Sequence, residues 1–147
     1  MAGPSVPEAL RAALPQGTRL VLYDGECGLC RRSVRWLLAR DPRGRLRFAP
    51  LQGETARALG VAPRELETVL LVEVGPGGAA AVHERSAAIA RALGALGGGW
   101  ALAGRALRLA PRPLADAGYR LVAAHRHRLG PAACALPGPD ERARFLP

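Results

Sequence analysis

The chain has 147 residues, a length that fits one domain large enough to bury a hydrophobic core. Its formal charge of +9 comes from 21 basic residues, all of them Arg, against 12 acidic ones, and this bias alone does not indicate nucleic-acid binding. Its three cysteines do not form the disulfide framework of a small secreted domain.

The N-terminal region has no recognisable targeting signal. Residues 1–7 lack the basic and apolar segments of a signal peptide. Arg or Gly interrupts the longest apolar stretches well before the ~18 residues that a membrane-spanning helix requires. We therefore expect a cytoplasmic protein in which residues 1–18 form a loosely ordered leader.

The first predicted elements of the core alternate between strand and helix. Residues 20–23 have high strand propensity, and residues 27–40 carry apolar side chains at helical spacing. Residues 45–49 alternate charged and apolar side chains, as a half-buried strand does. A short helix is then predicted over residues 53–59, with Gly60 placed to end it.

A hairpin and a helix complete the predicted core. Residues 68–74 are rich in Val and Leu, and a Gly-rich turn joins them to residues 79–83 in the manner of antiparallel strands. Ser86 is the predicted N-cap of a helix over residues 87–96. The resulting order over residues 19–99, βαβα followed by ββα, is that of an α/β protein with a thioredoxin-like fold.

Residues 100–147 form a predicted helical extension that packs on this core, so that the chain is one structural domain overall. Helices are expected over residues 101–109 and 114–129, followed by an irregular tail over residues 131–147. We expect three apolar side chains of the second helix to face the core and four Arg side chains to face outwards: Leu114, Leu121 and Val122 inside, and Arg112, Arg120, Arg126 and Arg128 outside.

Positive charge is concentrated in this extension, because residues 85–139 contain eight Arg and one acidic residue. We interpret the Arg-rich surface as a solvated face. Peripheral contact with an acidic partner or with an anionic membrane surface is the alternative.

Cys27 and Cys30 are the strongest candidates for chemistry. They lie at the predicted junction of the first strand and helix, where two residues three positions apart have Cβ atoms about 5–6 Å apart. This distance is close to the Cα separation of roughly 4.4–6.8 Å that a disulfide tolerates, so the pair can open and close as a redox-active dithiol with little backbone movement. The helix N-terminus is expected to lower the pKa of Cys27 and favour its thiolate, with Cys30 as the resolving thiol.

Asp24, three residues before the first cysteine, is the remaining candidate catalytic residue. Two roles stay open for it. Its carboxylate is placed to accept hydrogen bonds within the turn that follows the first strand, or to help move the proton of Cys30.

The run over residues 23–34, with residues 45–48 and 51–52 downstream, resembles the DCC family of predicted thiol-disulfide oxidoreductases. The Asp and two Cys for which that family is named are matched here by Asp24, Cys27 and Cys30. A looser resemblance extends to Cys134 and covers most of the chain. The resemblance implies a thioredoxin-like fold and thiol-disulfide exchange, and it leaves the substrate open.

The sequence therefore predicts a thiol-disulfide oxidoreductase that acts through a mixed disulfide and requires no bound cofactor. Its expected partners are a disulfide-containing substrate and a thiol electron donor, without nucleic acid. One alternative is a non-catalytic thioredoxin-like adaptor that docks through its Arg-rich helices. Another is a zinc site made of the cysteine pair and further ligands from among His83, His125, His127 and Cys134.

Overall fold

The computed structural model describes residues 6–26, 28–61, 69–125 and 139–147. Its strands are β1 (Arg19–Tyr23), β2 (Leu46–Pro50), β3 (Leu70–Val74) and β4 (Ala80–Glu84). Its helices are α1 (Glu8–Ala13), α2 (Gly28–Ala39), α3 (Glu54–Ala58), α4 (Arg85–Leu96), α5 (Gly98–Leu109), α6 (Arg112–Ala124) and α7 (Pro139–Arg142). Within these ranges, no helix is long and apolar enough to cross a membrane.

The strands form one mixed sheet in the order β2-β1-β3-β4. β1 and β2 run parallel, and α2 provides the crossover that a parallel pair needs. β3 is antiparallel to both β1 and β4. In the register, Val21 of β1 lies between Phe48 of β2 and Leu71 of β3. This arrangement, followed by a helical C-terminal part, is a thioredoxin-like fold and confirms the predicted fold class.

Helices cover both faces of the sheet because neighbouring strand residues point in opposite directions. Leu20 and Leu22 of β1 are buried in a cluster with side chains of α1 and α3. Val21, between them, belongs to the opposite face, where α2 and α4 supply the buried side chains. α2 and α4 therefore lie on the same face of the sheet, and the candidate site is built on their surface.

Residues 6–14 differ from the loosely ordered leader that the sequence predicts. Val6 is only 1% exposed, and Leu10 and Leu14 are buried in the same cluster. The backbone N–H of Val6 also donates to the carbonyl oxygen of Gly78, which joins this segment to the β3–β4 turn. Burial of three apolar side chains, at roughly 1.5–3 kcal/mol each, explains why the segment is held on the core.

α5 connects the helical extension to the core through close contact with α4. Gly97, at φ 74°, lets the chain turn from α4 into α5. A Cβ atom on Gly104 of α5 would lie 2.5 Å from the carbonyl oxygen of Ala90 in α4, a separation too short for any larger residue. The rings of Trp36 and Trp100, in an edge-to-face arrangement with centroids 4.6 Å apart, join α5 to α2.

The last described segment pairs with the sheet, and an irregular tail is therefore the wrong description for residues 139–147. The N–H of Phe48 donates to the carbonyl oxygen of Arg144 (2.9 Å). The N–H of Leu146 donates to the carbonyl oxygen of Phe48 (2.8 Å). Phe145 thereby forms a parallel bridge with β2, and its ring packs on that of Phe48. The expectation for residues 131–138 falls outside the described residues.

Candidate functional site

The turn after β1 carries Asp24, the first of the predicted site residues. The N–H of Leu51 donates to the carbonyl oxygen of Tyr23 (2.8 Å), so the end of β1 is joined to the segment that follows β2. Asp24 is half-buried, and its Oδ1 atom accepts a hydrogen bond from the N–H of Glu26 (3.0 Å). The Asp24 side chain therefore closes the turn that leads towards α2.

Gln52 and Arg31 hold this turn from two sides. Gln52 Nε2 donates to Asp24 Oδ1 (2.7 Å), while Gln52 Oε1 accepts from the N–H of Gly25 (3.1 Å). Arg31 Nε donates to the carbonyl oxygen of Gly25 (2.6 Å). Asp24 thus has the hydrogen-bonding role within the turn, one of the two roles predicted for it. Its role in moving a proton of Cys30 stays a prediction.

Cys30 lies in the first turn of α2, which begins at Gly28. It is half-buried, and it lies on the side of the helix that continues through the buried residues Val34 and Leu38. Cys30 therefore lies on the inner side of the helix. Cys27 and Cys134 lie outside the described residues, so the predicted separation of the cysteine pair and the predicted lowering of the Cys27 pKa stay predictions.

An apolar groove of about 760 Å³ opens beside Cys30. Side chains from α2, α4 and α6 line it together with residues of β1 and β3. Its volume lies within the range of roughly 300–1,000 Å³ that is usual for small-molecule sites. The helices contribute Cys30, Trp36, Ile89, Leu114 and Val122, among others, to this lining.

α6 lies differently from the prediction. The expected packing of Leu114, Leu121 and Val122 onto the core is wrong, because these side chains are 68%, 63% and 52% exposed. Leu114 and Val122 border the groove instead. The amphipathic pattern shows that the helix has an apolar side, but it does not show whether that side packs on the core or borders an open groove. Arg112 and Arg120 are exposed as predicted, and Arg126 and Arg128 lie outside the described residues.

Hydrogen bonds to Tyr119 and Asp116 connect α6 to the core. Tyr119 Oη accepts from the N–H of Val69 (3.0 Å), and Ser86 Oγ donates to Asp116 Oδ1 (2.5 Å). The bond from Ser86 is the main cause of a lowered pKa at Asp116. The predicted N-cap role of Ser86 is wrong, because α4 begins at Arg85 without a side-chain cap and the Ser86 hydroxyl binds α6.

Tyr23 places a phenol at the groove, on the side where β1 ends. Burial raises the pKa of Tyr23, and the nearby Arg31 only partly opposes this shift. The phenol therefore stays protonated at neutral pH, as an ordinary Tyr does, and adds no charge to the groove.

The candidate zinc ligands that the structure describes belong to different elements of the fold. His83 lies on β4, with Nε2 3.7 Å from Oε2 of Glu73, and burial is the main cause that lowers the pKa of His83. His125 is exposed at the end of α6, with Nδ1 2.8 Å from the carbonyl oxygen of Leu121. Among the described residues no three His, Cys, Asp or Glu side chains are grouped as a metal site requires. His127 and both remaining cysteines lie outside those residues.

Comparison with protein families matches residues 21–131, a range that includes the last three residues of β1, the cysteine pair and all of α6, to the DCC1-like thiol-disulfide oxidoreductase family. The chain belongs to this family. The match confirms the resemblance predicted from the residues around Asp24, Cys27 and Cys30. It also supports oxidoreductase activity of this general kind.

Two relatives of this DCC1-like protein differ in how much of it they cover. The uncharacterized protein YuxK of Bacillus subtilis (strain 168) is 32% identical over 135 residues, which are 88% of this chain and 94% of YuxK. A chloroplastic DCC family protein of Arabidopsis thaliana is 36% identical over 58 residues, which are 37% of this chain and 34% of that protein. No solved structure matches the chain.

The structure adds site residues to which sequence reasoning assigns no contact. Gln52 enters the sequence argument only through the family resemblance, yet its amide binds both Asp24 and Gly25. Tyr119 and Asp116 connect α6 to the core. Each of these contacts joins residues at least 27 positions apart, which a local pattern does not reveal.

Proposed function

We propose that this DCC1-like protein is a thiol-disulfide oxidoreductase in which Cys27 attacks a disulfide and Cys30 resolves the mixed disulfide. The observation that carries the proposal is the start of α2 at Gly28, the residue that follows Cys27 in the chain. The first N–H groups of a helix have no partner within the helix, and its N-terminus carries a partial positive charge. Both effects stabilise a thiolate at this end of α2.

The reaction needs no component other than the disulfide and a thiol donor. The Cys27 thiolate attacks one sulfur atom of the substrate, and the other sulfur leaves as a thiolate that takes up a proton. The Cys30 thiolate then attacks the Cys27 sulfur, which releases the second substrate thiol and forms a Cys27–Cys30 disulfide. A thiol donor returns the protein to the dithiol form and is itself oxidised. Asp24 acts as a positioning residue, since it holds the turn before Cys27 together with Gln52.

Alkylation of the reduced protein tests the assignment of the nucleophile. A thiol with an ordinary pKa of about 8.5 is mostly protonated at neutral pH and reacts slowly. We expect iodoacetamide at neutral pH to modify Cys27 well before Cys30 and Cys134, as followed by mass spectrometry of peptides. Equal rates at the three cysteines, or fastest modification of Cys134, would contradict the assignment.

Cysteine variants test the mechanism with hydroxyethyl disulfide as substrate and glutathione as thiol donor. Cys27→Ser should abolish turnover, whereas Cys30→Ser should accumulate a mixed disulfide at Cys27 that mass spectrometry detects. Cys134→Ser is the matched control and should keep turnover, because it leaves the pair intact. The adaptor alternative predicts no turnover by the unmodified protein, and full turnover by Cys30→Ser would exclude the two-cysteine mechanism.

A further inference from the structure

We propose that the groove beside Cys30 is the substrate site and that it takes uncharged, lipophilic small-molecule disulfides. This inference rests on the proposed function, which supplies the dithiol. Cys30 forms part of the groove wall, and Cys27 precedes it by three residues in the chain. A disulfide whose hydrocarbon part occupies the groove is therefore held next to Cys30, one of the two thiols of the proposed reaction, and productive attack requires such proximity.

The walls of the groove favour hydrocarbon. Val122 and Leu114 of α6 are more than half exposed, and Ile89 of α4 is 38% exposed. All three side chains line the groove, so a lipophilic ligand would remove their apolar surface from water. Arg32, the charged side chain of the lining, is exposed near the start of α2. A charged substrate would lose hydration in such a groove with little compensation.

Three hydroxyl groups of the lining already have hydrogen-bond partners within the protein. Ser33 Oγ donates to the carbonyl oxygen of Leu29 (2.9 Å), and Ser86 Oγ donates to Asp116. Tyr119 Oη accepts from the N–H of Val69. A polypeptide in this mainly apolar groove would bury N–H and C=O groups with few partners, at a cost that a dialkyl or aryl disulfide avoids. The lining therefore favours a small molecule over an apolar peptide.

The redox step balances without a further reactant. The substrate disulfide is reduced to two thiols, and the Cys27–Cys30 dithiol is oxidised to a disulfide, with two electrons and two protons passing to the substrate. Substrate size affects only how strongly the groove holds the hydrocarbon groups before the attack. Chain length is therefore the variable that tests the groove.

The first experiment compares dimethyl, diethyl, dipropyl and dibutyl disulfide, with kcat/KM divided by the rate constant of the same disulfide with free glutathione. This normalisation removes differences in intrinsic reactivity. We expect the normalised value to rise with each added methylene, up to about fourfold per methylene at complete burial. Glutathione disulfide, which is charged and peptidic, should give a lower normalised value than dibutyl disulfide. A value independent of chain length, or a preference for glutathione disulfide, would overturn the proposal.

Matched variants on α6 locate the effect. Val122→Asp places a charge in the groove wall, whereas Leu121→Asp places one at the adjacent residue, which is similarly exposed and does not line the groove. We expect Val122→Asp to lower kcat/KM for dibutyl disulfide about tenfold, which corresponds to the loss of roughly one to two buried methylene groups. The value of kcat/KM for dimethyl disulfide should change little. Leu121→Asp should behave like the unmodified chain. Equal losses in the two variants would overturn the proposal.

Binding of the uncharged dye Nile red separates the groove from the chemistry, because dye binding requires no thiol. We expect its fluorescence to rise with the unmodified chain and with Cys27→Ser, and to fall for Val122→Asp but not for Leu121→Asp.

Dye binding without turnover of any disulfide would remove the proposed function and with it the substrate assignment. Turnover without dye binding would leave the proposed function intact and overturn the groove as its substrate site. Faster turnover of an apolar peptide disulfide than of dibutyl disulfide would overturn the choice of a small molecule.

Discussion

At the scale of single residues, the side chain of Gln52 has the most specific role in the site. Its two amide atoms bind the Asp24 carboxylate and the Gly25 N–H, so that one side chain holds two consecutive residues of the turn. A Cβ atom at position 25 would lie 3.3 Å from Gln52 Oε1, which is closer than most such contacts. Gly25 therefore allows the amide to reach the backbone.

We predict that Gln52→Ala destabilises the protein by about 1–3 kcal/mol, because it removes two hydrogen bonds worth roughly 0.5–1.5 kcal/mol each. Denaturant titration measures the change in the free energy of unfolding. Gln16→Ala is the matched control, since Gln16 is exposed in the turn before β1, and it should change stability by less than about 0.5 kcal/mol. Equal effects of the two substitutions would show that the Gln52 contacts contribute nothing to stability.

At the scale of elements, the contact of α4 with α5 decides where the helical extension lies. Gly104 allows the backbones to come close, with the Ala90 carbonyl oxygen and the Gly94 nitrogen at 2.5 and 3.1 Å from the place of a Cβ atom. α6, in contrast, is joined to the core mainly through polar atoms, and its apolar residues border a groove. The extension is thus attached firmly by its first helix and leaves an open surface at its second.

Gly104→Ala should destabilise the protein by about 1–3 kcal/mol, because the added methyl group forces α5 away from α4. This loss should exceed the gain in helix propensity, which is about 1 kcal/mol for Gly to Ala. Gly99→Ala in the same helix isolates that gain, since a Cβ atom there has no neighbour within 4 Å. Thermal unfolding of both variants should therefore show a lowered Tm for Gly104→Ala only. A Gly104→Ala variant as stable as Gly99→Ala would mean that the two helices are not in close contact.

At the scale of the whole molecule, the first and the last described segments of the chain are parts of the core. Leu10 and Leu14 of the N-terminal segment are buried, and Arg144 near the C-terminus reaches the carboxylate of Asp41 in the α2–β2 loop. Asp41 is 1% exposed, and its two carboxylate oxygens also accept from the N–H groups of Arg45 (3.1 Å) and Leu46 (2.8 Å). One buried carboxylate therefore connects a loop, a strand and the last residues.

We predict that Arg144→Ala costs about 3 kcal/mol in the free energy of unfolding, because it leaves the buried Asp41 carboxylate without its ionic partner. Urea titration measures the loss. Arg142→Ala is the control, since Arg142 is exposed, and it should cost at most about 1 kcal/mol. If both variants unfold at the same urea concentration, the Arg144–Asp41 pair has no net effect on stability.

Local patterns in the amino-acid sequence are sufficient to predict the succession of strands and helices along the chain and to identify the family. Alternating and helical periodicities predict the elements between residues 20 and 96 with ends that differ by one or two residues, because these patterns depend on near neighbours along the chain. Asp24, Cys27 and Cys30 identify the family for a similar reason, since they stand within seven positions of one another.

Tertiary packing was needed to show which surface each apolar face contacts and which group each polar side chain binds. The amphipathic pattern of α6 is the same whether Leu114 and Val122 pack on a core or border an open groove, and only the placement of α6 relative to the core decides between these outcomes. The sequence predicts that Ser86 caps a helix locally, yet its hydroxyl binds Asp116, a residue 30 positions away. Contacts between distant residues depend on how the elements pack together, and local patterns in the sequence do not encode them one by one.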